Sequence, residues 1–275
     1  MAQTVDLGQL PVQSPRVAAT YVKVLVYGTS GVGKTTFAGS AEDIPEARRV
    51  LLIEPVQEKG TMTLAAQGRG EHLDVMQLMQ FSATVDPVKN VVAAHGLDSI
   101  IKYLREVQHP YKTLVIDGIK GIQKLCLDGV MDVACRMDSK VNRDMPQLQH
   151  YGIVTNQMRR TLQAIVGLDM NIIFTCFQKE VKDELTGAIS LKPDLMDQLS
   201  NELPGMVDIV GHLTGRLDVV NNVKVIRRAL LVQPDGRSVA KDRSSGLGPV
   251  VEDPTFLKVY NSVQSVYATK QKETN

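Results

Sequence analysis

A glycine-rich stretch near the amino terminus, Gly28–Thr36, constrains this chain more than any other feature. It matches the pattern G-x-x-x-x-G-K-[ST], a loop whose backbone N–H groups surround phosphate oxygens. In such a loop Lys34 reaches the β- and γ-phosphates, and the hydroxyl of Thr35 binds Mg²⁺. The pattern therefore predicts ATP and Mg²⁺ as cofactors. The residues predicted to contact the nucleotide are Gly28, Thr29, Ser30, Gly31, Val32, Gly33, Lys34, Thr35 and Thr36.

The sequence around this loop predicts the elements that such a loop requires. Residues 21–27 are rich in β-branched and aromatic residues, which favours a strand, and residues 36–41 suit the first turns of a helix. The continuous apolar run at 49–53 is typical of a parallel strand buried on both faces, and residues 171–178 predict another buried strand that ends in polar groups. We therefore predict an α/β fold with a mostly parallel central sheet, helices on both faces, and antiparallel strands toward the C-terminal edge.

The length and charge of the chain limit its organisation and its partners. The 275 residues suffice for one large domain, which we place at residues 21–250. Residues 1–20 are predicted to be an arm, and residues 251–275 a C-terminal helix with a polar tail. A net charge of +1 means that nucleic-acid binding would depend on local basic loops.

Two further properties bear on the compartment. The three cysteines have neither metal-binding nor disulfide spacing, which suits a reducing compartment. No apolar run approaches 18 residues, so no membrane contact is expected. We predict a cytoplasmic protein.

Acidic residues follow two of the predicted strands. Asp117 ends the run at residues 111–116, where it can hold Mg²⁺ opposite Thr35, although an aspartate at this position can equally cap the next helix. Glu54 and Glu58 follow the run at 49–53, where a carboxylate can activate water. Solvated loop charges would explain the same residues. We favour Glu58 over Glu54 as the base.

Two later pairs are also candidates for the site. Thr175 and Gln178 stand at the end of the run that begins at residue 171 and are predicted sensors of the γ-phosphate, although a hydroxyl there can merely cap a turn. Lys241 and Arg243 are two residues apart on an extended stretch, so their side chains should share one side.

Three features occur in a fixed order: the loop Gly28–Thr36, the strand-ending Asp117, and the pair Lys241 and Arg243. This combination resembles the RecA superfamily, in particular its small phage-borne, core-only members related to RadA, described as Sak-type single-strand annealing recombinases. The resemblance covers residues 21–250 and implies a RecA-like P-loop NTPase core.

The resemblance also implies roles for individual residues. In this group an acidic residue after the second strand polarises the attacking water, and the segment 58–60 matches it best, which implies Glu58. The group inserts cationic fingers into the neighbouring subunit's nucleotide site, and Lys241 and Arg243 resemble those fingers. Relatives commonly carry histidine close after the position of Thr175, whereas this chain has Phe177 and then Gln178.

Finally, the resemblance implies partners. The loops at 136–149 and 179–193 match the DNA-contacting loops of the group and carry Lys140, Arg143, Lys179 and Lys182. Neither loop is rich in aromatic residues for base stacking, and a solvated basic surface explains the same charges. The implied partners are other copies of the chain in a ring or filament, single-stranded DNA and a single-strand-binding protein. The implied setting is a phage protein in the bacterial cytoplasm.

Two other classes of function share the P-loop. A nucleotide or small-molecule kinase would add an acceptor pocket and an arginine-rich lid, which the sequence does not reveal. A switch or structural protein would use the nucleotide only to hold an oligomer together. A GTPase is disfavoured because residues 117–120 break D-x-x-G and no N-K-x-D is present, and an ABC ATPase because no L-S-G-G-Q is present.

Overall fold

The protein is described from a computed structural model, in residues 21–86, 89, 91–220 and 223–272. The predicted arm at 1–20 and the last three residues of the predicted tail lie outside this part of the chain.

Within the described residues, strands and helices are interspersed in the first two thirds of the chain, and strands dominate afterwards. The strands are β1 (Lys23–Gly28), β2 (Val50–Pro55), β3 (Leu73–Leu78), β4 (Thr84–Asp86), β5 (Val91–Ala94), β6 (Thr113–Ile116), β7 (Asn171–Lys182), β8 (Ile189–Pro193), β9 (Ile209–Val220), β10 (Val223–Leu231), β11 (Lys241–Asp242) and β12 (Val250–Glu252). The helices are α1 (Lys34–Gly39), α2 (Thr61–Ala66), α3 (Leu97–Glu106), α4 (Ile119–Met137), α5 (Leu148–Val166), α6 (Asp197–Met206) and α7 (Phe256–Lys272).

One large sheet organises the fold, in the order β12-β10-β9-β1-β7-β6-β2-β3. The strands from β9 to β3 are mutually parallel, whereas β10 and β12 continue the sheet antiparallel. β11 pairs with β9, β8 pairs with β7, and β4 and β5 form a separate hairpin. The predicted parallel sheet with antiparallel strands toward the C-terminal edge is confirmed. Parallel alignment brings the carboxyl ends of β1, β7, β6 and β2 to one edge.

The sheet separates two apolar cores. Leu25 and Phe174 contribute to the core beneath α3, α4, α5 and α6, whereas Val24 and Val115 contribute to the core beneath α1, α2 and α7. Successive strand residues point to opposite faces, so a fully apolar strand supplies both cores. Phe256 of α7 is completely buried, and its ring meets Phe37 of α1 edge to face at 6.3 Å. The prediction of helices on both faces is confirmed.

One predicted loop boundary differs from the structure. Helix α5 begins at Leu148, because the backbone N–H of Gln147 donates to Nδ1 of His150 and fixes the first turn there. The basic loop predicted at 136–149 is therefore limited to 138–147. The segment 179–193, the other loop that resembles a DNA-contacting loop, is a hairpin in which Lys179 of β7 pairs with Lys192 of β8.

Among the described helices, none combines the length and apolarity needed to cross a bilayer.

Candidate nucleotide site

The glycine-rich loop joins the carboxyl end of β1 to α1, as the sequence predicts. Gly33 precedes the helix with φ of +108°, a conformation that residues with a Cβ rarely adopt. The amide of Phe37 then donates to the Gly33 carbonyl at 2.9 Å, which closes the first helical turn. Strand, loop and helix thus have the geometry of an anion-binding loop at a helix amino terminus.

Lys34 lies across the mouth of this loop. Its Nζ donates to the carbonyls of Gly28 at 3.1 Å and Thr29 at 2.7 Å. The ammonium is also 4.6 Å from the centre of the Phe177 ring. Burial lowers the pKa of Lys34, while the carboxylates of Asp117 and Glu58 act in the opposite direction. The lysine can reach phosphates held by the loop only by exchanging these carbonyl bonds for phosphate oxygens.

Asp117 lies at the centre of a short hydrogen-bond chain. The hydroxyl of Thr35 donates to Oδ2 at 2.7 Å, and the hydroxyl of Thr175 donates to Oδ1 at 2.6 Å. Gly118, not Asp117, precedes α4, and no side chain caps that helix. The capping alternative for Asp117 therefore does not describe this structure. Burial raises the pKa of Asp117, and the two threonine hydroxyls oppose the shift.

The same oxygens suit a divalent cation. Thr35 and Asp117 present hard oxygen atoms, which Mg²⁺ prefers. A Cβ on Gly60 would lie 2.7 Å from Oδ2 of Asp117 and 3.0 Å from the Thr35 hydroxyl, so only glycine leaves this side of the pair open. The residues present therefore fit Mg²⁺.

The hydroxyl of Thr175 has a different position from the one predicted. It is buried, donates to Asp117, and accepts the Gly118 amide at 3.0 Å. Both hydrogen-bonding functions are occupied inside the protein, so Thr175 holds the carboxylate of Asp117 instead of facing a phosphate. Gln178, two residues beyond Cys176, is only partly buried, and its Oε1 lies 2.9 Å from Nε2 of His212.

The two candidate bases have distinct environments. Glu54 is completely buried, and its carboxylate accepts bonds from the amide and the hydroxyl of Thr61 and from Gln77. Those bonds fix the start of α2 and leave Glu54 without access to water. Glu58 is partly exposed, and a Cβ on Gly118 would overlap its carboxylate, which therefore lies directly beside the residue that follows Asp117.

The charge state of Glu58 depends on these surroundings. Its pKa is raised to about 7, first by burial and then by the carboxylates of Asp117 and Glu54, while Lys34 lowers it. A group with a pKa near 7 can accept and return a proton at neutral pH, which is the property of a general base. This geometry favours Glu58 over Glu54.

Lys241 and Arg243 lie on one side of their segment, as predicted, but far from the loop. Lys241 donates to the Pro204 carbonyl, and Arg243 donates to the Gly205 carbonyl at 2.6 Å. In their own chain both side chains therefore bind the end of α6. Burial and the charge of Arg243 lower the pKa of Lys241.

The four predicted DNA-contacting cations fall into two groups. Arg143 forms an ion pair with Asp132 at 2.9 Å, and Lys179 forms one with Asp197 at 2.6 Å. Lys140 and Lys182 have exposed side chains. Only these two keep their charge at the surface without a carboxylate partner among the described residues.

Sequence reasoning missed one cation at the loop. Nε of Arg228, on β10, donates to the Val32 carbonyl at 2.8 Å. A Cβ on Gly33 would lie 2.8 Å from the same nitrogen, so the guanidinium packs against the outer side of the loop. Because the backbone amides of such a loop bind phosphate, a bond to the outward carbonyl helps to fix their direction. No sequence signal connects residues this far apart; the β9–β10 hairpin brings them together.

The fold and site define a P-loop ATPase, and the predicted α/β P-loop fold with a mostly parallel central sheet is confirmed. The chain belongs to the AAA_24 family, described as an AAA domain, whose model matches residues 20–244. No curated protein matches the chain at a significant level.

Several solved structures are distantly similar to this chain. The flagellar accessory protein FlaH from Methanocaldococcus jannaschii is 10% identical, with 85% of this chain and 84% of that chain covered and a TM-score of 0.39. The RadB recombinase is 13% identical, with 76% and 80% covered and a TM-score of 0.40. The ATPase EscN of the enteropathogenic E. coli type III secretion system is 14% identical, with 70% and 43% covered and a TM-score of 0.40.

Glu58→Gln should stabilise the protein at alkaline pH. Between the ordinary value of 4.5 and the raised value of about 7, the folded state binds more protons than the unfolded chain, so stability falls as pH rises through this window. Allowing for partial exposure of the carboxyl, we expect a gain of about 1 kcal/mol in the free energy of unfolding at pH 8 and none at pH 4. Urea denaturation in the presence of EDTA and without nucleotide measures this free energy of unfolding.

The control for this experiment is Glu71→Gln, since the Glu71 side chain is 88% exposed. It should leave the pH dependence of stability as in the wild type. An equal response of both variants would show that Glu58 is not held in a perturbed site.

Arg228→Met should weaken nucleotide binding by about three- to tenfold, because the loop loses one hydrogen bond of about 0.5–1.5 kcal/mol that fixes the direction of its amides. The matched control is Arg227→Met. Arg227 points to the opposite face of the hairpin and pairs with Asp218 at 2.8 Å. Titration with a fluorescent ATP analogue compares the two, and equal affinities would exclude a role for Arg228 at the loop.

Proposed function

We propose that this protein is an ATPase that binds single-stranded DNA for annealing or strand exchange, as a ring or filament with ATP sites between subunits. The proposal extends the coarser conclusion that the chain is a P-loop ATPase of the AAA domain family. The observation that supports ATP sites between subunits is the distance of Arg243 and Lys241 from the P-loop of their own chain.

That distance follows from the sheet register. The amide of Arg243 donates to the Asp208 carbonyl, and the amide of Asp208 donates to the Lys23 carbonyl. Arg243 is therefore level with the first residue of β1, whereas the P-loop begins at the last, Gly28. Five strand residues correspond to about 17 Å. Such a cation can reach a nucleotide only in another copy of the chain, stacked with its amino-terminal sheet edge over this P-loop.

The chemistry assigned to this chain's residues follows from their positions. Lys34 binds the β- and γ-phosphates after leaving the carbonyls of the loop. Thr35 and Asp117 hold Mg²⁺, which supplies positive charge against the phosphates when bound, and Thr175 keeps Asp117 oriented. Glu58 takes a proton from the attacking water.

Three further side chains complete the site. The Gln178 amide contacts the γ-phosphate and distinguishes ATP from ADP. Lys241 and Arg243 of the next subunit offset the negative charge that develops on that phosphate. To do so they must exchange their bonds to the end of α6 for phosphate oxygens, which makes their own subunit's α6 sensitive to the neighbouring nucleotide.

The DNA part of the proposal rests on exposed charge near the site. Gln178 belongs to β7, and the same strand continues to Lys182, the last paired residue before the turn of the β7–β8 hairpin. The paired strands β7 and β8 therefore connect a nucleotide contact at Gln178 to the exposed ammonium of Lys182. Through this connection, ATP binding would fix the hairpin in a position in which it contacts DNA. Binding would depend strongly on salt, as expected for contacts to phosphates.

Mixing two inactive variants tests the shared site. Glu58→Gln leaves the cations intact, and Arg243→Ala leaves the P-loop side intact. In random mixed assemblies about a quarter of the interfaces pair the two intact halves, so ATP turnover should reappear on mixing. Asp208→Asn serves as the control, since it removes the 3.5 Å ion pair with Arg243 but keeps the cation. Wild-type turnover and assembly in Arg243→Ala alone would refute the shared site.

Single-stranded DNA should stimulate ATP turnover, and Lys140→Ala with Lys182→Ala should weaken DNA binding. Loss of two phosphate contacts should reduce the slope of log affinity against log salt by about 1.4. The control is Lys102→Ala with Lys258→Ala, two exposed helical lysines. Unchanged binding in the first variant would remove the loops from the DNA site. Phosphate transfer to an added acceptor would favour a kinase, and ATP binding without turnover a structural switch.

A further inference from the structure

Gln178 is held by a residue that is distant in sequence. Phe177 is level with Gly28, so Gln178 extends past the point where the P-loop begins. Its Oε1 lies 2.9 Å from Nε2 of His212, on β9. Among the described residues, no hydrogen bond engages the other end of the amide, Nε2.

His212 itself is fixed from three directions. It is buried, and its ring stacks on Tyr27 with centroids 4.8 Å apart and planes 14° apart. Tyr27 is anchored in turn, because its hydroxyl donates to the Val239 carbonyl at 2.8 Å. On the far side of the ring, Nδ1 of His212 lies 3.0 Å from the hydroxyl of Ser238.

These contacts select one proton arrangement. An amide oxygen only accepts, so Nε2 of His212 must carry a proton and donate it to Gln178. Burial lowers the pKa of His212, which favours the neutral ring, so Nδ1 must accept from the Ser238 hydroxyl. The amide of Ser238 donates to Asp235 at 2.6 Å and fixes the serine.

The opposite orientation of the Gln178 amide has weaker support. It would place the proton on Nδ1 of His212 and turn the Ser238 hydroxyl toward Asp235, whose nearest oxygen is 3.5 Å away. That distance is at the limit of a hydrogen bond. The network therefore favours the orientation in which the Gln178 oxygen faces His212 and the amide NH₂ group remains for a ligand.

We propose that His212 is a positioning residue that fixes the Gln178 amide with its NH₂ group available to the γ-phosphate of ATP. The inference rests on the proposed role of Gln178 and adds the group that orients it. An amide presented by its nitrogen donates to phosphate oxygen, whereas one presented by its oxygen repels it. His212 thereby contributes to the preference for the triphosphate without touching the nucleotide.

A pair of isosteric replacements tests this role. The amide of His212→Gln extends to the former position of Nε2 and can still donate to Gln178, whereas the shorter amide of His212→Asn reaches only the position of Nδ1. Both variants lose the stack on Tyr27, so a merely structural role would affect them equally. The measured quantity is the ratio of the dissociation constants for ADP and a non-hydrolysable ATP analogue, with Mg²⁺, at pH 7.5.

We expect Gln178→Ala and His212→Asn to reduce this ratio about tenfold, and His212→Gln to stay within about threefold of the wild type. The ratio for Gln178→Glu should fall at least as far as the ratio for Gln178→Ala, because a carboxylate can accept a hydrogen bond from His212 but repels phosphate. Thermal denaturation checks that the two His212 variants are equally folded.

Two results would overturn the inference. If Gln178→Ala lowers the ratio while the His212 variants match each other, Gln178 senses the phosphate but His212 does not orient it. If Gln178→Ala leaves the ratio unchanged, the sensor role assigned to Gln178 fails, and the positioning role of His212 fails with it.

Discussion

The carboxylate of Asp117 is the interaction on which the rest of the site depends. It is buried, and each of its oxygens accepts a threonine hydroxyl, one from the P-loop and one from β7. A buried carboxylate is tolerated only when its oxygens are satisfied, so Thr35 and Thr175 are needed for stability as well as for geometry. Through these two bonds the helix after the P-loop, strand β7 and the end of β6 are held in one relation. The glycine at position 60 keeps one side of this group open.

Much of the fold and the phosphate-binding half of the site could be predicted from the sequence, because both depend on local patterns. The loop Gly28–Thr36, the apolar strands and Asp117 can each be predicted from a few consecutive residues, without knowledge of the rest of the chain. The sequence already favoured Glu58 over Glu54, and the structure adds a physical reason, since the carboxylate of Glu54 is bound by Thr61 and that of Glu58 lies beside Gly118. Thr175 was identified, but its partner was not, since a hydroxyl at a strand end can turn in either direction.

What the sequence could not provide are the contacts made by strands β9 and β10. Arg228 and His212 reach the site because the last third of the chain returns to lie beside β1. No spacing rule links Val32 to Arg228, or Gln178 to His212, since each pair is separated by elements of variable length. The hydrogen bonds of Lys241 and Arg243 within their own chain could not be predicted for the same reason. Their bonds to the end of α6 depend on how β11 pairs with β9.

The central position of β1 has a consequence for how the chain is made. Its two neighbours, β7 and β9, lie far downstream, and the bond between Val22 and Asn171 already spans 149 residues. Synthesis proceeds from the amino terminus, so the largely apolar strand β1 and the glycine loop that follows it are made before β7 and β9, the strands with which β1 pairs. Long-range pairing of this kind slows folding and exposes strand edges to aggregation. A phosphate-binding loop attached to β1 is therefore flanked by both neighbouring strands only after β9 has left the ribosome.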